Sequence, residues 1–199
     1  MINLALDFIT NHIEKYLQQQ QALGNLILPG VKPPIILGNI SQVGTSTDTM
    51  LQNMILVSLV KIEEDRISRS PVNYVRVDQQ VVYRNPPIYL NLDVLFTANF
   101  ENYRTSLLLL STVIRFFQFQ NVFTPQNSPD LPPGIEELIF DMKTLSLQDL
   151  NNLWGILGSK YIPSVLYKMR LIQIFDAYTI GTAEVIKEIQ INDEPQNLA

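Results

Sequence analysis

The chain has 199 residues, of which 46% are hydrophobic and 17% charged, and its formal net charge at pH 7 is −5. This length suits one domain with a substantial core, and the acidic balance disfavours a general affinity for nucleic acid, because neutralising phosphates requires clustered lysine and arginine. The absence of cysteine excludes disulfides, thiolate metal sites and a cysteine nucleophile.

Neither a secretion signal nor a membrane anchor is predicted. The first residues lack a basic start, and Asn3, Asp7 and Asn11 interrupt their apolar positions. The most apolar later stretch, residues 105–119, contains Arg115 and is too short to span a bilayer. The sequence therefore predicts a soluble chain.

The first third of the chain predicts one helix and two strands. Residues 2–22 carry apolar side chains every three to four positions, which is typical of an amphipathic helix. A proline-rich connector follows at 28–34, and the apolar run 35–40 predicts a short strand. Residues 54–65 are apolar on both faces and predict a strand in the middle of a sheet.

The segment from 66 to 87 has no clean period and concentrates arginine in an acidic chain. Residues 74–83 could form the two arms of a projecting hairpin. Two interpretations stay open at this point: a solubilising loop, or an interface loop that meets an acidic neighbour, since arginine is favoured in protein contacts. The arginines concerned are Arg66, Arg69, Arg76 and Arg84.

Residues 88–99 alternate apolar and mixed positions, which predicts a strand with one apolar face. From residue 100 to 119 the spacing becomes helical. The buried stripe of this helix is predicted to be Tyr103, Leu107, Leu110, Ile114 and Phe117.

The last third begins with a breaker cluster at 124–134 and predicts strand, helix, strand. Residues 135–145 are strand-like, Ser146 and Asp149 resemble a capping box, and Gly158 is well placed to end the short helix. Pro163 opens a long final strand over 164–178, and the chain turns polar after Gly181.

This order predicts an α/β (α+β) single domain with a mixed β-sheet of about five strands flanked by three helices. The domain is expected over residues 1–180, followed by a polar C-terminal tail at 181–199. Its core is predicted to include Leu92, Phe96, Leu110, Phe117, Leu153 and Trp154, the last of these closing the space between helix and sheet.

No catalytic, metal or cofactor site is predicted. His12 is the only histidine and lies on a helix flank, so neither a general base nor a multi-histidine metal site is indicated. Asp93 and Asp141 could form an acid/base pair, but alternation along their strands favours a solvated face for both. The glycines near 24–30 and 155–160 fit no phosphate loop. A small enzyme that uses Asp93 or Asp141 remains an alternative.

Three stretches together resemble one known family. Residues 57–66, 85–118 and 122–172 include "PPIYLNLDVLF" and "LNNLWGILGSKYIPSV", and they are similar to the tail-terminator, or cap, proteins of extracellular contractile injection systems, which are phage-tail-like particles. The resemblance implies a phage tail-terminator-like fold and no catalysis. It implies a ring, six-fold, at the baseplate-distal end of tube and sheath that ends their polymerisation and stabilises the extended sheath.

The resemblance also implies partners and a location. The partners are other copies of this chain and the sheath and inner-tube proteins. In one alternative this chain is an adaptor layer, and a second cap protein lies above it. Nucleic acid and direct membrane insertion are not expected. The particle would assemble in the bacterial cytoplasm and be released or stay cell-bound. A generic adaptor protein is a further alternative. The residues predicted to contact neighbours are Arg66, Arg69, Arg76, Arg84, Ile174, Phe175, Asp176 and Tyr178.

Overall fold

A computed structural model of the chain describes residues 1–24, 35–43, 51–65, 74–77, 80–83, 88–158, 160–174 and 181–184. Its helices are α1 (Ile2–Ala22), α2 (Tyr103–Phe119) and α3 (Leu147–Leu157), with a 3-10 turn at Ile40–Gln42. Its strands are β1 (Ile35–Leu37), β2 (Met54–Glu64), β3 (Tyr74–Val77), β4 (Gln80–Tyr83), β5 (Ile88–Asn99), β6 (Val122–Phe123), β7 (Leu138–Lys143), β8 (Ser164–Ile174) and β9 (Gly181–Glu184).

Six of the strands form one mixed sheet in the order β1-β2-β5-β8-β7-β6. Only the β1–β2 pair is parallel, and the other four pairs are antiparallel. The α+β class is therefore confirmed; the strand count exceeds the predicted five because two-residue β6 adds an edge strand.

β5 lies in the interior of this sheet, with β2 on one side and β8 on the other. Every residue from Asn91 to Ala98 is buried, so both faces of the strand are covered. The prediction of one oily and one solvated face was wrong for β5. Alternation indicates which residues share a face, but whether the second face is covered depends on the layers packed against it.

α1 packs inside the curl of the sheet. The predicted apolar stripe is buried at Leu6, Ile9, Ile13 and Leu17. The helix packs against β1 at one edge of the sheet, and its Phe8 ring meets Phe123 of β6 edge-on at 5.6 Å at the other edge. A single helix thus contacts both edges of the sheet, and the sheet curls around it.

α2 is a helix as predicted, but of the predicted stripe only Phe117 is buried. Its buried apolar residues are Leu109, Val113, Phe116 and Phe117, whereas Tyr103 is 63% exposed and Leu107 42% exposed. Apolar side chains occur on several sides of this helix, so periodicity could not select the buried one. The selected side carries Phe117, whose ring lies 5.3 Å from Phe96 and 4.2 Å from Tyr167 of the sheet.

α3 covers part of the opposite face of the sheet. Ser146 caps it as predicted, its hydroxyl accepting from the Asp149 backbone N–H at 3.1 Å, and Gly158 ends it with φ of 66°. Trp154 is buried against a second apolar cluster that contains Leu56, Leu95 and Leu166.

The predicted core is largely correct. Leu92, Phe96, Phe117 and Trp154 are buried, whereas Leu110 and Leu153 are half-buried. Leu153 packs against the cluster around Trp154. Leu110 lies to one side of the buried residues Leu109, Val113 and Phe116 of α2, and this explains its partial exposure.

A second, three-stranded sheet has the order β3-β4-β9. β3 and β4 are the two arms of the hairpin predicted within residues 74–83. Gly181–Glu184, which the sequence placed in the polar tail, pair as β9 with β4 and so have their backbone groups in a ladder. Residues 185–199 lie outside the described ranges, and the division of the chain near residue 180 stays a prediction.

Candidate functional site

Two of the predicted interface residues lie in described strands. Arg76 is in β3, in register with Val81 of β4, and Ile174 is the last residue of β8, opposite Ile88 of β5. The pairing of β4 with β9 brings the hairpin together with chain that follows β8. The predicted residues that lie outside the described ranges are Arg66, Arg69, Arg84, Phe175, Asp176 and Tyr178.

Side chains of alternating charge form a row across four strands of the main sheet. Lys61 of β2 is in register with Asp93 of β5, Asp93 with Lys168 of β8, and Lys168 with Asp141 of β7. Residues in register on neighbouring strands share a face, so opposite charges stand side by side along the row. We refer to Lys61, Asp93, Lys168 and Asp141 as the charged row.

Additional cations reach the acidic members of the row. The Lys143 ammonium lies 2.7 Å from the Asp93 carboxylate, and the Arg170 guanidinium lies 2.7 Å from the Asp141 carboxylate. Lys168 makes no ion pair with any described residue. The row and its cationic partners therefore carry a small excess of positive charge, since four cations (Lys61, Lys143, Lys168, Arg170) accompany two aspartates and the adjacent Glu63.

Asp93 corrects the expectation of a solvated face. Its side chain is 7% exposed, and Lys143 supplies the neutralising charge that such burial requires. Asp141 is 48% exposed and agrees with the expectation. Sequence reasoning could single out Asp93 as a charge in an apolar strand, but nothing local marks Lys143, 50 residues away, as its partner.

The pairing of β5 with β8 is irregular next to the charged row. The register between β5 and β8 shifts between Leu90 and Leu92, a local bulge in the ladder. Beside it, Asn91 Oδ1 and Arg170 Nε are buried without a hydrogen-bond partner. On the β2 side, the hydrogen bond from Lys61 lowers the pKa of Glu63 below its ordinary value.

A second polar constellation joins α1 to the loop before β7. His12 Nε2 lies 3.1 Å from one carboxylate oxygen of Asp130, and the Lys15 ammonium lies 2.9 Å from the other. The hydrogen bond from Lys15, with a further contribution from His12, lowers the pKa of Asp130. His12 also packs against the Phe8 ring at 4.2 Å, so the single histidine is a structural helix-flank residue.

A groove of about 610 Å³ runs along the exposed side of α1 as far as Asp130 and Pro132. Asp7, Glu14, Lys15 and Asp130 supply its charges, so carboxylates outnumber ammonium groups there. Two further cavities among the described residues, of about 250 and 560 Å³, contain lysine and no carboxylate.

Within the described ranges, no three His, Asp or Glu side chains come close enough together to hold a metal ion. None of the helices that the structure describes is both long and apolar enough to cross a membrane.

Two solved structures have a similar fold. The sheath/tube terminator of the extracellular contractile injection system PVC, in its extended state, matches with a TM-score of 0.58 and 13% identity over 94% of this chain and 65% of that chain. The tube-terminating cap of the anti-feeding prophage (AFP) matches with a TM-score of 0.58 and 17% identity over 96% of this chain and 62% of that chain. The chain thus spans less than two thirds of the length of either structure, and it shares their fold.

No curated protein sequence matches the chain significantly. The family model described as the Pvc16 N-terminal domain matches residues 8–188. The chain belongs to this family, and the resemblance found in the sequence is confirmed.

Proposed function

We propose that this protein is a structural terminator of a contractile injection system. Copies of the chain form a closed ring, six-fold, on the baseplate-distal end of tube and sheath, where the ring ends polymerisation and stabilises the extended sheath. The observation that carries the proposal is family membership over residues 8–188, combined with a fold shared with a sheath/tube terminator and a tube-terminating cap.

The fold supports a role exerted through shape. α1 contacts both edges of the sheet and α3 packs on its other face, so both sides of β5 are held in close-packed layers. Identical subunits close a ring when each presents the same rigid surfaces at a constant angle. The aspartates that could have formed an acid/base pair are each held by a cation at 2.7 Å, which supports a structural role for them and a non-enzymatic protein.

The contact residues are proposed in two segments. The first is the arginine-bearing segment with Arg66, Arg69, Arg76 and Arg84, and the second begins at Ile174 and includes Phe175, Asp176 and Tyr178. Pairing of β4 with β9 supports treating the segments as one surface. The proposed partners are neighbouring copies and the sheath and tube subunits, met during assembly in the bacterial cytoplasm.

Deletion of the gene tests this function through particle length. We expect tubes of irregular length and loss of extended sheath in particles measured by electron microscopy, with recovery when the chain is supplied in trans. Uniform particles of unaltered length after deletion would contradict the proposal. Cryo-electron microscopy of normal particles then distinguishes the outermost cap from an adaptor layer, which would carry a second protein on its outer surface.

A further inference from the structure

We infer that the acidic groove along α1 receives residues 66–84 of the neighbouring copy in the ring, which we refer to as the hairpin segment. The inference rests on the proposed function, because it specifies how one subunit of the ring holds the next. It joins two features of opposite charge: residues 66–84, which carry a net positive charge, and the groove along α1, where carboxylates outnumber ammonium groups.

The positive block is unusual for this chain. Residues 66–84 contain four arginines and one aspartate, a net charge of +3, while the whole chain has 14 basic and 19 acidic residues. The remainder therefore has 10 basic and 18 acidic residues, a net charge of −8. β3 and β4 form a hairpin within this block, and Arg76 belongs to its first arm.

The groove along α1 is the acidic counterpart among the described cavities. Asp7 is exposed and makes no ion pair with a described residue, and it lies in the groove with Glu14 and Asp130. Lys15 is the only cation of the lining, and Asp130 already binds it at 2.9 Å. Guanidinium groups pair with carboxylates through two parallel hydrogen bonds, so arginine suits such a groove better than lysine.

The groove has room for more than one arginine. Asp7 and Glu14 are seven residues apart on one side of the helix, which places them about 10 Å from each other at 1.5 Å per residue. Leu4 and Pro132 add apolar surface to the lining, against which the aliphatic part of an arginine can pack.

The charged row is a poorer acceptor for the same segment. Asp93 and Asp141 each have a cation at 2.7 Å, and Glu63 has Lys61 at 3.2 Å. Lys168, which makes no ion pair with any described residue, would repel an incoming arginine. The groove along α1 is therefore the acceptor that charge complementarity selects.

The hairpin segment and the groove are different parts of the chain. In a ring of more than two copies, each copy therefore gives its hairpin to one neighbour and receives the hairpin of the other, which is a head-to-tail contact. Contacts of this type generate closed rings when the rotation between subunits closes. Each copy would donate one hairpin and accept one, so every hairpin and every groove in the closed ring would be occupied.

Complementary charge reversals in separate chains test the inference. One variant reverses the groove (Asp7→Lys with Glu14→Lys) and the other reverses the hairpin segment (Arg76→Glu with Arg84→Glu). Ring formation of the 199-residue chain is followed by sedimentation velocity and negative-stain electron microscopy, and circular dichroism verifies folding. The matched control for the groove variant, Glu101→Lys with Glu136→Lys, changes two exposed carboxylates outside the groove and alters net charge by the same amount as that variant.

We expect each variant alone to associate at least about tenfold more weakly than wild type, and the control to form rings normally. An equimolar mixture of the two variants should recover rings, because alternating subunits pair reversed hairpins with reversed grooves. Rings from either variant alone would overturn the inference, as would failure of the mixture to recover them. Wild type that forms no rings would instead overturn the proposed ring itself.

Discussion

The ammonium group of Lys143 lies 2.7 Å from the carboxylate of Asp93, although the two residues belong to strands that are not neighbours. Lys143 is on β7 and Asp93 on β5, with β8 between them. The lysine therefore spans a strand to neutralise a charge buried in the middle of the sheet. This pair ties the edge half of the sheet to its centre.

Removing Lys143 should destabilise the protein. Lys143→Met leaves Asp93 buried without its partner, and since Lys143 itself is 38% exposed we expect a loss of about 1–3 kcal/mol in the free energy of unfolding. Urea denaturation measures the loss. Lys61→Met, which breaks an exposed pair with Glu63, is the control and should change stability much less, because solvent screens that pair. Equal effects of the two substitutions would show that Asp93 does not depend on Lys143.

The buried face of α2 can be tested with two substitutions on that helix. Phe117→Ala removes a ring packed on Phe96 and Tyr167 and should cost about 3–5 kcal/mol of stability. Leu107→Ala changes a residue that is 42% exposed and should cost about 1 kcal/mol or less. Thermal or urea unfolding compares them, and a larger loss for Leu107→Ala would contradict the orientation of the helix.

The contacts of Asp130 with His12 and Lys15 should contribute stability that depends on pH. The pKa of Asp130 is lowered in the folded state, so its contribution is present above the pKa of the unfolded chain and is lost as pH falls through the folded-state value. Asp130→Asn should therefore reduce stability at pH 7 by at most about 1 kcal/mol, and the difference should vanish in acid. Glu136→Gln is the control; a difference from wild type that persists unchanged at low pH would contradict the ionic origin.

The cap of α3 should be measurable at its first turn. Ser146→Ala removes the hydroxyl that accepts from the Asp149 backbone N–H, and the expected loss of stability is about 1 kcal/mol. Ser111→Ala is a suitable control, because Ser111 lies in the middle of α2 and its hydroxyl donates back to the Leu107 carbonyl instead of capping a helix end. Chemical denaturation that finds no loss for Ser146→Ala would mean that water replaces the cap.

Charge reversal in the arginine segment should affect assembly and leave folding intact. Arg76→Glu with Arg84→Glu is expected to yield particles of irregular length when the variant replaces wild type, because the proposed contact between subunits becomes repulsive. The circular dichroism spectrum of the isolated variant should match wild type. Particles of normal length would remove this segment from the interface.

Much of the fold was readable from local pattern. The apolar stripe of α1, the hairpin arms around Arg76, the β5 strand and the Ser146 cap each have a signal within a few residues, and the structure has them where the sequence predicted. The candidate surfaces were less readable. The arginine segment shows in composition, whereas the groove that contains Asp7 and Asp130 combines residues 123 positions apart.

The sequence by itself determined the order and kind of most elements, the apolar core stripe of α1 and, through a resemblance that the family match bears out, the family. Only the tertiary structure decided which side of α2 faces the sheet, that Asp93 is buried against Lys143, and that four charges align in one row across β2, β5, β8 and β7. The physical reason is range. Helix caps and periodicity act over one or two turns of chain, but strand register and burial are set by packing between segments that are distant in sequence.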